Sequence, residues 1–460
     1  MRITMFIGRE KELSTLKMHY DSESFACIPI YGRRRVGKTR LIEEFVKDKK
    51  VIFFTAVEGT FSQNMAILSR AIFFDSTIAP IYDDFQMALD AIFSMAQKEK
   101  LVFVIDEYPY FAASRSSVSS VLQYAIDHML LKTDMLLILS GSSMSFMENQ
   151  VLGYQSPLYG RRSGQIKLLP ENFMVSRGYA PKFSKEEQAI MYGVTGGIPK
   201  YLSLFDDEKS LDENLEFQFF NKNNFLFEET SNLLKQELSE PAFYKAIITA
   251  IATGGSQMKD IASKTGSDSG VCSVYLKPLI ELGIIHREIP IMDKLESRKS
   301  IYRLSDGMFR FWYRFVYQNV SLINLDKGGI VFERIKSQIP AFMGEVFEKI
   351  CIEYMWFIYD KLPFGFQNIG RWWGNNPIKK EQQEIDFIAI DATNKKAIFG
   401  ECKWRNEEIG ESVIDGLIQK AEMFTFEEKF YYFFSKSGFT KAAMEKANKK
   451  IILVNFAEMF

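Results

Sequence analysis

Short, nearly all-apolar runs separated by stretches of helical spacing mark the first two hundred residues. Cys27–Tyr31, Val51–Thr55, Leu101–Ile105 and Met135–Leu139 lack the polar alternation of a half-exposed strand, so each is predicted to be a strand buried on both faces of a parallel sheet. Lys38–Val46 and Asp84–Gln97 carry apolar residues at helical intervals. Together they predict an α/β fold, a parallel sheet with helices on both faces. From about Phe225 the period changes. Ala242–Ala252, Met258–Lys264 and Ser269–Leu282 read as three short helices broken at Gly254-Gly255 and Thr265-Gly266, with strand-like runs Ile284–Ile291 and Ser300–Leu304 after them. Three helices and a hairpin outline a winged helix-turn-helix. Asp306–Gln338 is helical and rich in aromatics (Phe309, Phe311, Trp312, Tyr313, Phe315, Tyr317); it reads as packing between domains, with a ligand box as the alternative. A last section runs helix (Met343–Trp356), strands (Glu384–Ile390, Ala397–Trp404), helix (near Val413–Phe424), strand (Lys429–Phe434), helix (near Thr440–Ala447), strand (Ile451–Val454). The expected domains are 1–205, with a helical lid to about 230, then 231–305, a helical bridge 306–340, and 341–460.

A chain of 460 residues is too long for one core, which agrees with several domains. The net charge of −1 excludes a global pull onto nucleic acid, so any DNA contact must come from a local patch. Cys27, Cys272, Cys351 and Cys402 show no paired spacing for zinc or a redox centre and suggest reduced thiols. Charged residues from Arg9 to Glu12 precede any long apolar run, and no run is long enough to span a bilayer. The expectation is a cytoplasmic protein without a membrane partner; the sequence leaves oligomeric state open.

Gly32-Arg33-Arg34-Arg35-Val36-Gly37-Lys38-Thr39 has the spacing of a P-loop. Its glycines let backbone N–H groups close around phosphate oxygens, Lys38 reaches the β- and γ-phosphates, and the Thr39 hydroxyl ligates magnesium. The apolar strand before it and the helix starting at Lys38 set a positive helix end at the phosphate. The expected ligand is ATP with Mg2+. Leu101–Ile105 ends in Asp106-Glu107, a Walker B arrangement in which Asp106 holds the metal and Glu107 orients the attacking water. After Met135–Leu139, Ser140 or Ser143 is positioned to contact the γ-phosphate or water, or the segment is a simple turn. Arg161 and Arg162 each suit an arginine finger, or a pairing with a carboxylate.

Phe6-Ile7-Gly8-Arg9-Glu10-Lys11-Glu12-Leu13, the P-loop, Asp106-Glu107, Gly160-Arg161 and Gly196-Gly197-Ile198-Pro199-Lys200-Tyr201-Leu202 together resemble the archaeal-type ATPases, P-loop proteins related to the AAA+ and STAND classes. The resemblance covers nearly the whole chain, including a nuclease-like C-terminal domain. It implies that Arg9 lies near the adenine pocket and that Pro199 contacts the base.

In the winged helix the recognition helix, about Asp268–Leu282, carries Asp268, Lys277 and Glu281 and is weakly acidic, whereas His286–Arg303 holds Arg287, Lys294, Arg298, Lys299 and Arg303 against Glu288, Asp293 and Glu296. DNA contact and a relay of nucleotide state between domains are both open readings. Farther on, Glu384–Ile390 and Ala397–Trp404 form a hairpin that would bring Asp386 near Glu401, with Lys403 on the same face as Glu401. Two carboxylates can hold Mg2+ or Mn2+, and the lysine can position or deprotonate a water. This is similar to the PD-(D/E)XK nuclease core. By that resemblance Glu348 is the extra acid, with Glu345 as rival, and Gln419 fills a position often held by glutamine. Lys379-Lys380 and Trp372-Trp373 are near enough in sequence to touch nucleic acid.

The expected function is an ATP-hydrolysing protein whose nucleotide cycle controls a metal-dependent DNA nuclease-like domain. The rival is a nucleotide-switched regulatory or adaptor protein whose nuclease-like domain is inactive and only binds DNA or protein. A chaperone-like ring ATPase rests on the AAA+ kinship alone.

Overall fold

The computed structural model describes residues 6–74, 80–294, 296–377 and 379–460. By contact density it divides into two units: the chain up to Glu171 with Ile198–Lys200, and Asn172–Gly197 with Tyr201–Phe460.

The first unit is built on five parallel strands, β1 (Ala26–Tyr31), β2 (Val51–Thr55), β3 (Val102–Asp106), β4 (Leu136–Gly141) and β5 (Ile166–Lys167), in the order β2-β3-β4-β1-β5. The four apolar runs become the four long strands. Every residue of β1, β3 and β4 is buried, as expected where helices cover both faces. The order was not legible in the sequence. It inserts β4 between the P-loop strand β1 and the Asp106 strand β3, so the tip of β4 faces both. Phe54, Phe85 and Phe111 fill one side of this core, the first two edge-on to the third at 5.2 and 4.9 Å.

The second unit holds the rest. Helices Pro241–Ala252, Met258–Thr265 and Ser269–Glu281 precede an antiparallel pair, β6 (Ile285–Glu288) and β7 (Ile301–Leu304). The aromatic stretch after it is mostly buried: Phe309, Phe311 and Phe315 are sealed in, and Phe311 meets Phe219 at 4.6 Å and Phe342 at 5.5 Å. The 19-residue helix Ile339–Phe357 then leads into a mixed sheet. Its strands are β8 (Phe366–Asn376), β9 (Glu381–Asp391), β10 (Lys396–Lys403), β11 (Glu428–Ser435) and β12 (Ile451–Asn455), in the order β12-β11-β10-β9-β8. β8, β9 and β10 pair antiparallel, while β10, β11 and β12 run parallel, with helix Glu411–Ala421 as the crossover between β10 and β11.

β8 has no counterpart among the expected elements. Its sequence, FQNIGRWWGNN, carries two glycines, no sustained alternation and two register shifts against β9. Bulges of this kind hide a strand from a period-two reading.

Candidate nucleotide site and a buried acid pair

The loop after β1 turns back under tight constraint. A Cβ on Gly32 would lie 2.4 Å from the Leu168 carbonyl oxygen, and Gly37 has φ 92°, a left-handed conformation that favours glycine. Arg35 also sits at φ 73°, at a cost of about 1–2 kcal/mol for a side-chain-bearing residue. Gly37 caps helix Lys38–Val46. Buried Lys38 donates through Nζ to the carbonyls of Gly32 (2.8 Å) and Arg33 (3.1 Å), which holds its ammonium across the loop. Val36 is fully buried, and Arg34 donates to the Tyr110 hydroxyl (2.8 Å).

Thr39 Oγ1 donates to Asp106 Oδ2 at 2.9 Å, so the P-loop hydroxyl and the carboxylate ending β3 converge. Two such oxygens suit a hard cation like Mg2+, and the lysine and helix N-terminus beside them suit a polyphosphate. Glu107 follows at φ 52° and starts helix Tyr108–Ser114. This turn aims its carboxylate at the tip of β4, where Ser142 donates to Glu107 Oε2 through both Oγ (2.9 Å) and backbone N–H (3.3 Å).

Of the serines at that tip, Ser140 is fully buried with no hydrogen-bond partner for its hydroxyl, and Ser143 caps the following turn through the Phe146 N–H. Ser142 makes the contact to Glu107. It belongs to the same polar run, Ser140-Gly141-Ser142-Ser143, but only the strand order shows which serine faces Glu107. Ser142→Ala should lower ATP turnover about tenfold with unchanged nucleotide affinity, since a hydrogen bond to a carboxylate is worth about 1.5–3 kcal/mol; steady-state hydrolysis with nucleotide titration measures both.

Arg9 brackets the loop. Its guanidinium donates to the carbonyls of Leu169 (2.7 Å) and Val36 (3.3 Å) and pairs with Glu171 (2.6 Å) and Glu12 (3.1 Å). Burial, with Glu12 and Glu10 nearby, pushes the Glu171 carboxyl up to about 7 against the pull of Arg9. Pro199 lies beside the phosphate loop: a Cβ on Gly37 would be 4.0 Å from its ring, and the Lys200 N–H donates to the Arg35 carbonyl (3.4 Å). Arg161 makes a two-pronged pair with Asp127 (2.7 Å twice) and also bonds the Pro157 and Tyr159 carbonyls, while exposed Arg162 bonds Gln165 (2.6 Å).

In the mixed sheet, β9 and β10 pair in a register that places Phe387 opposite Gly400, so Asp386 and Glu401 are neighbours at one end. Both are 7% exposed, buried enough that their charges need partners. Asp386 Oδ2 accepts the Cys402 N–H (2.7 Å). Lys403 pairs with Glu401 Oε1 and lies 4.0 Å from Asp386. Lys420 approaches Glu401 Oε2 at 3.6 Å, and that oxygen has no hydrogen-bond partner. Burial first, then the charge of Glu401, pushes the Asp386 carboxyl up to about 6. Burial works against the Lys403 ammonium, yet Glu401 and Asp386 hold it above the usual lysine range.

Glu348, on helix Ile339–Phe357, is paired with Arg371 (3.4 Å), and burial with the nearby charge of Asp386 lifts it to about 7. Glu345 is taken by Arg303 (3.0 Å) and Arg310 (2.9 Å). Among the described residues no three His, Cys, Asp or Glu side chains gather as a metal-holding group. Gln419 is exposed and accepts from Lys379 (2.8 Å); its neighbour Lys420 faces the acids. A divalent cation fits the Asp386–Glu401 pair as two buried carboxylates that repel each other. Glu348, the acid expected as the third, is the one paired with Arg371.

Asp386 makes one contribution to the pH dependence of stability. Its folded value, about 6, lies above the ordinary 3.8, so the stability this group contributes is present below about 4 and is lost as pH rises through 6. Asp386→Asn should therefore stabilise the metal-free protein by about 1–3 kcal/mol at pH 7.5 and by little at pH 4. Chemical denaturation at the two pH values in EDTA measures this.

A parallel sheet with a glycine loop, lysine and threonine after one strand, and Asp106-Glu107 after another, is the ATP-binding and hydrolysing apparatus of a P-loop ATPase. The family described as "ATPase domain predominantly from Archaea" matches residues 6–205, and the family described as "Archaea bacterial proteins of unknown function" matches residues 312–414. An uncharacterized protein of Methanocaldococcus jannaschii is 36% identical over 404 residues, 87% of this chain and 88% of that protein. The chain therefore belongs to the family of that archaeal protein, with an archaeal-type ATPase domain at its start. An uncharacterized ATP-binding protein of the same organism is 45% identical over 49 residues, 11% of this chain and 83% of that protein. A Walker-type ATPase of Pyrococcus abyssi shares the fold, with TM-score 0.51 at 17% identity over 67% of this chain and 96% of that one. Among the described residues, no helix is long and apolar enough to cross a membrane.

Proposed function

We propose that the ATPase cycle controls a metal-dependent DNA nuclease centre formed by Asp386, Glu401 and Lys403. The observation that carries this reading is the meeting of two buried carboxylates and a lysine at one end of β9 and β10. The order helix Ile339–Phe357, β8, β9, β10, helix Glu411–Ala421, β11 supports a PD-(D/E)XK-like assignment. In this reading Asp386 and Glu401 hold Mg2+ or Mn2+, which supplies an activated water and stabilises charge on a phosphodiester. Lys403, whose ammonium stays protonated beside the acids, positions that water rather than deprotonating it. Lys420 takes the place expected of Gln419.

At the nucleotide, Thr39 and Asp106 hold Mg2+, Glu107 orients water, Pro199 approaches the base, and the chain divides near residues 205, 230, 305 and 340. Three helices and the β6–β7 pair support a winged helix. The commitment of Arg161 to Asp127 favours a supporting role for it; exposed Arg162 is the better candidate for a finger.

The test is cleavage of single- and double-stranded DNA with Mg2+ or Mn2+, wild type against Lys403→Ala, each with and without ATP. Hydrolysis of ATP without any cleavage sinks the nuclease reading. A nucleotide-switched adaptor is the second reading, favoured by the hairpin. Its Ile291 N–H donates to the Arg371 carbonyl (2.9 Å), and Trp373 on β8 donates to the Lys299 carbonyl (3.2 Å). A wing seated this way on β8 suits signal relay more than groove reading.

A further inference from the structure

Arg371 stands on β8 with only 12% of its side chain exposed, among three carboxylates from three elements. Nη2 donates to Glu384 on β9 (3.3 Å), Nε lies 3.4 Å from Glu348 on helix Ile339–Phe357, and Nη1 lies 3.8 Å from Glu288 on β6. Only the Glu384 contact has hydrogen-bond geometry. Arg371 Nε and Nη1 and Glu288 Oε2 are buried without a hydrogen-bond partner, and that Glu288 oxygen is also approached by Arg303 on β7 at 3.6 Å. A buried guanidinium normally satisfies its fork, because an incompletely bonded buried charge is costly. This one is shared between partners, each imperfectly met. The hairpin is fastened to the same residue through the Ile291-to-Arg371 backbone bond, so Glu288 is placed by the strand it addresses. Beyond Glu348 lies the acid pair, where Glu401 Oε2 has no hydrogen-bond partner.

We propose that Arg371 is an internal cation that holds Glu348 back from the Asp386–Glu401 pair. Glu288 is its alternative carboxylate, so the hairpin sets the affinity of the acid pair for a divalent cation. The inference rests on the metal reading of that pair. When Arg371 leans on Glu348, the third acid is neutralised and cation affinity is low. When it leans on Glu288 and Glu384, Glu348 is released to join the other two. The hairpin residue thus acts on the acids through Arg371, as a positioning residue.

The experiment is calorimetric titration of Mn2+ into the full chain without nucleotide, with Asp386→Ala as the baseline. Arg371→Met should tighten Mn2+ binding on the order of tenfold, and Glu288→Gln should weaken it by about threefold or more. In an Arg303→Met background, which removes the second cation beside Glu288 (3.6 Å), the Glu288→Gln, Arg371→Met combination should match Arg371→Met. A Glu288→Gln effect that persists undiminished in the Arg371→Met background reports a simple long-range field and overturns the relay. So does wild-type affinity in both single variants while Asp386→Ala abolishes binding. If neither the wild type nor any variant binds Mn2+, the metal reading itself falls. Should Arg371→Met melt before the titration, Arg371→Gln, which removes the charge but keeps a polar side chain, must bind Mn2+ more tightly than the wild type, and Glu288→Gln must still bind it more weakly; failure of either overturns the proposal.

Discussion

Glu107→Gln should bind ATP as the wild type does and turn it over about a thousandfold more slowly, within the range expected when a positioned base is removed. The amide keeps the size of the carboxylate and can still accept from Ser142, so the tip of β4 stays in place. What it loses is the proposed capacity of Glu107 to take or orient a proton of the attacking water. In the proposed roles Asp106 and Thr39 still hold the metal, and Lys38 the phosphates, which is why affinity should survive. Lys38→Ala removes the ammonium itself and should weaken binding as well. Single-turnover hydrolysis, read beside equilibrium binding of a fluorescent nucleotide, separates the two variants. Turnover by Glu107→Gln within tenfold of the wild type would mean that another group handles the water.

The second large effect belongs to the proposed nuclease reading of the acid pair, under which Lys403→Ala should reduce Mg2+- or Mn2+-dependent DNA cleavage by at least about a hundredfold. Lys403 bridges Glu401 and approaches Asp386, so its removal leaves two buried carboxylates with less positive charge beside them. Mn2+ affinity should therefore be kept or increased in this variant while cleavage is lost. That divergence distinguishes loss of water positioning from loss of the metal. Parallel loss of metal binding and cleavage would assign Lys403 to holding the site together instead.

The local geometry of the phosphate loop and of the acid pair was legible because local chemistry dictates it. A loop that must wrap phosphate needs glycines where a Cβ has no room, as at Gly32 beside the Leu168 carbonyl. A strand buried on both faces must be apolar throughout, and β1, β3 and β4 are. The Glu401-Lys403 spacing follows from the two-residue period of a strand. β8 escaped notice because its bulges and glycines erase that period, and with it went Arg371, the residue that holds Glu348.

The sequence by itself determined the phosphate loop, the Asp106-Glu107 strand end, the two α/β sections and the meeting of Asp386 with Glu401. Each depends on the conformation of a few consecutive residues or on one hairpin. Only the tertiary structure decided that Ser142 meets Glu107 across 35 residues, that Arg161 is bound to Asp127 across 34, and that Lys420 faces Glu401. It alone set Arg371 between Glu288 and Glu348. These pairings follow from strand order, register and helix placement, which are fixed by burying the whole core at once, and no local period along the chain encodes them.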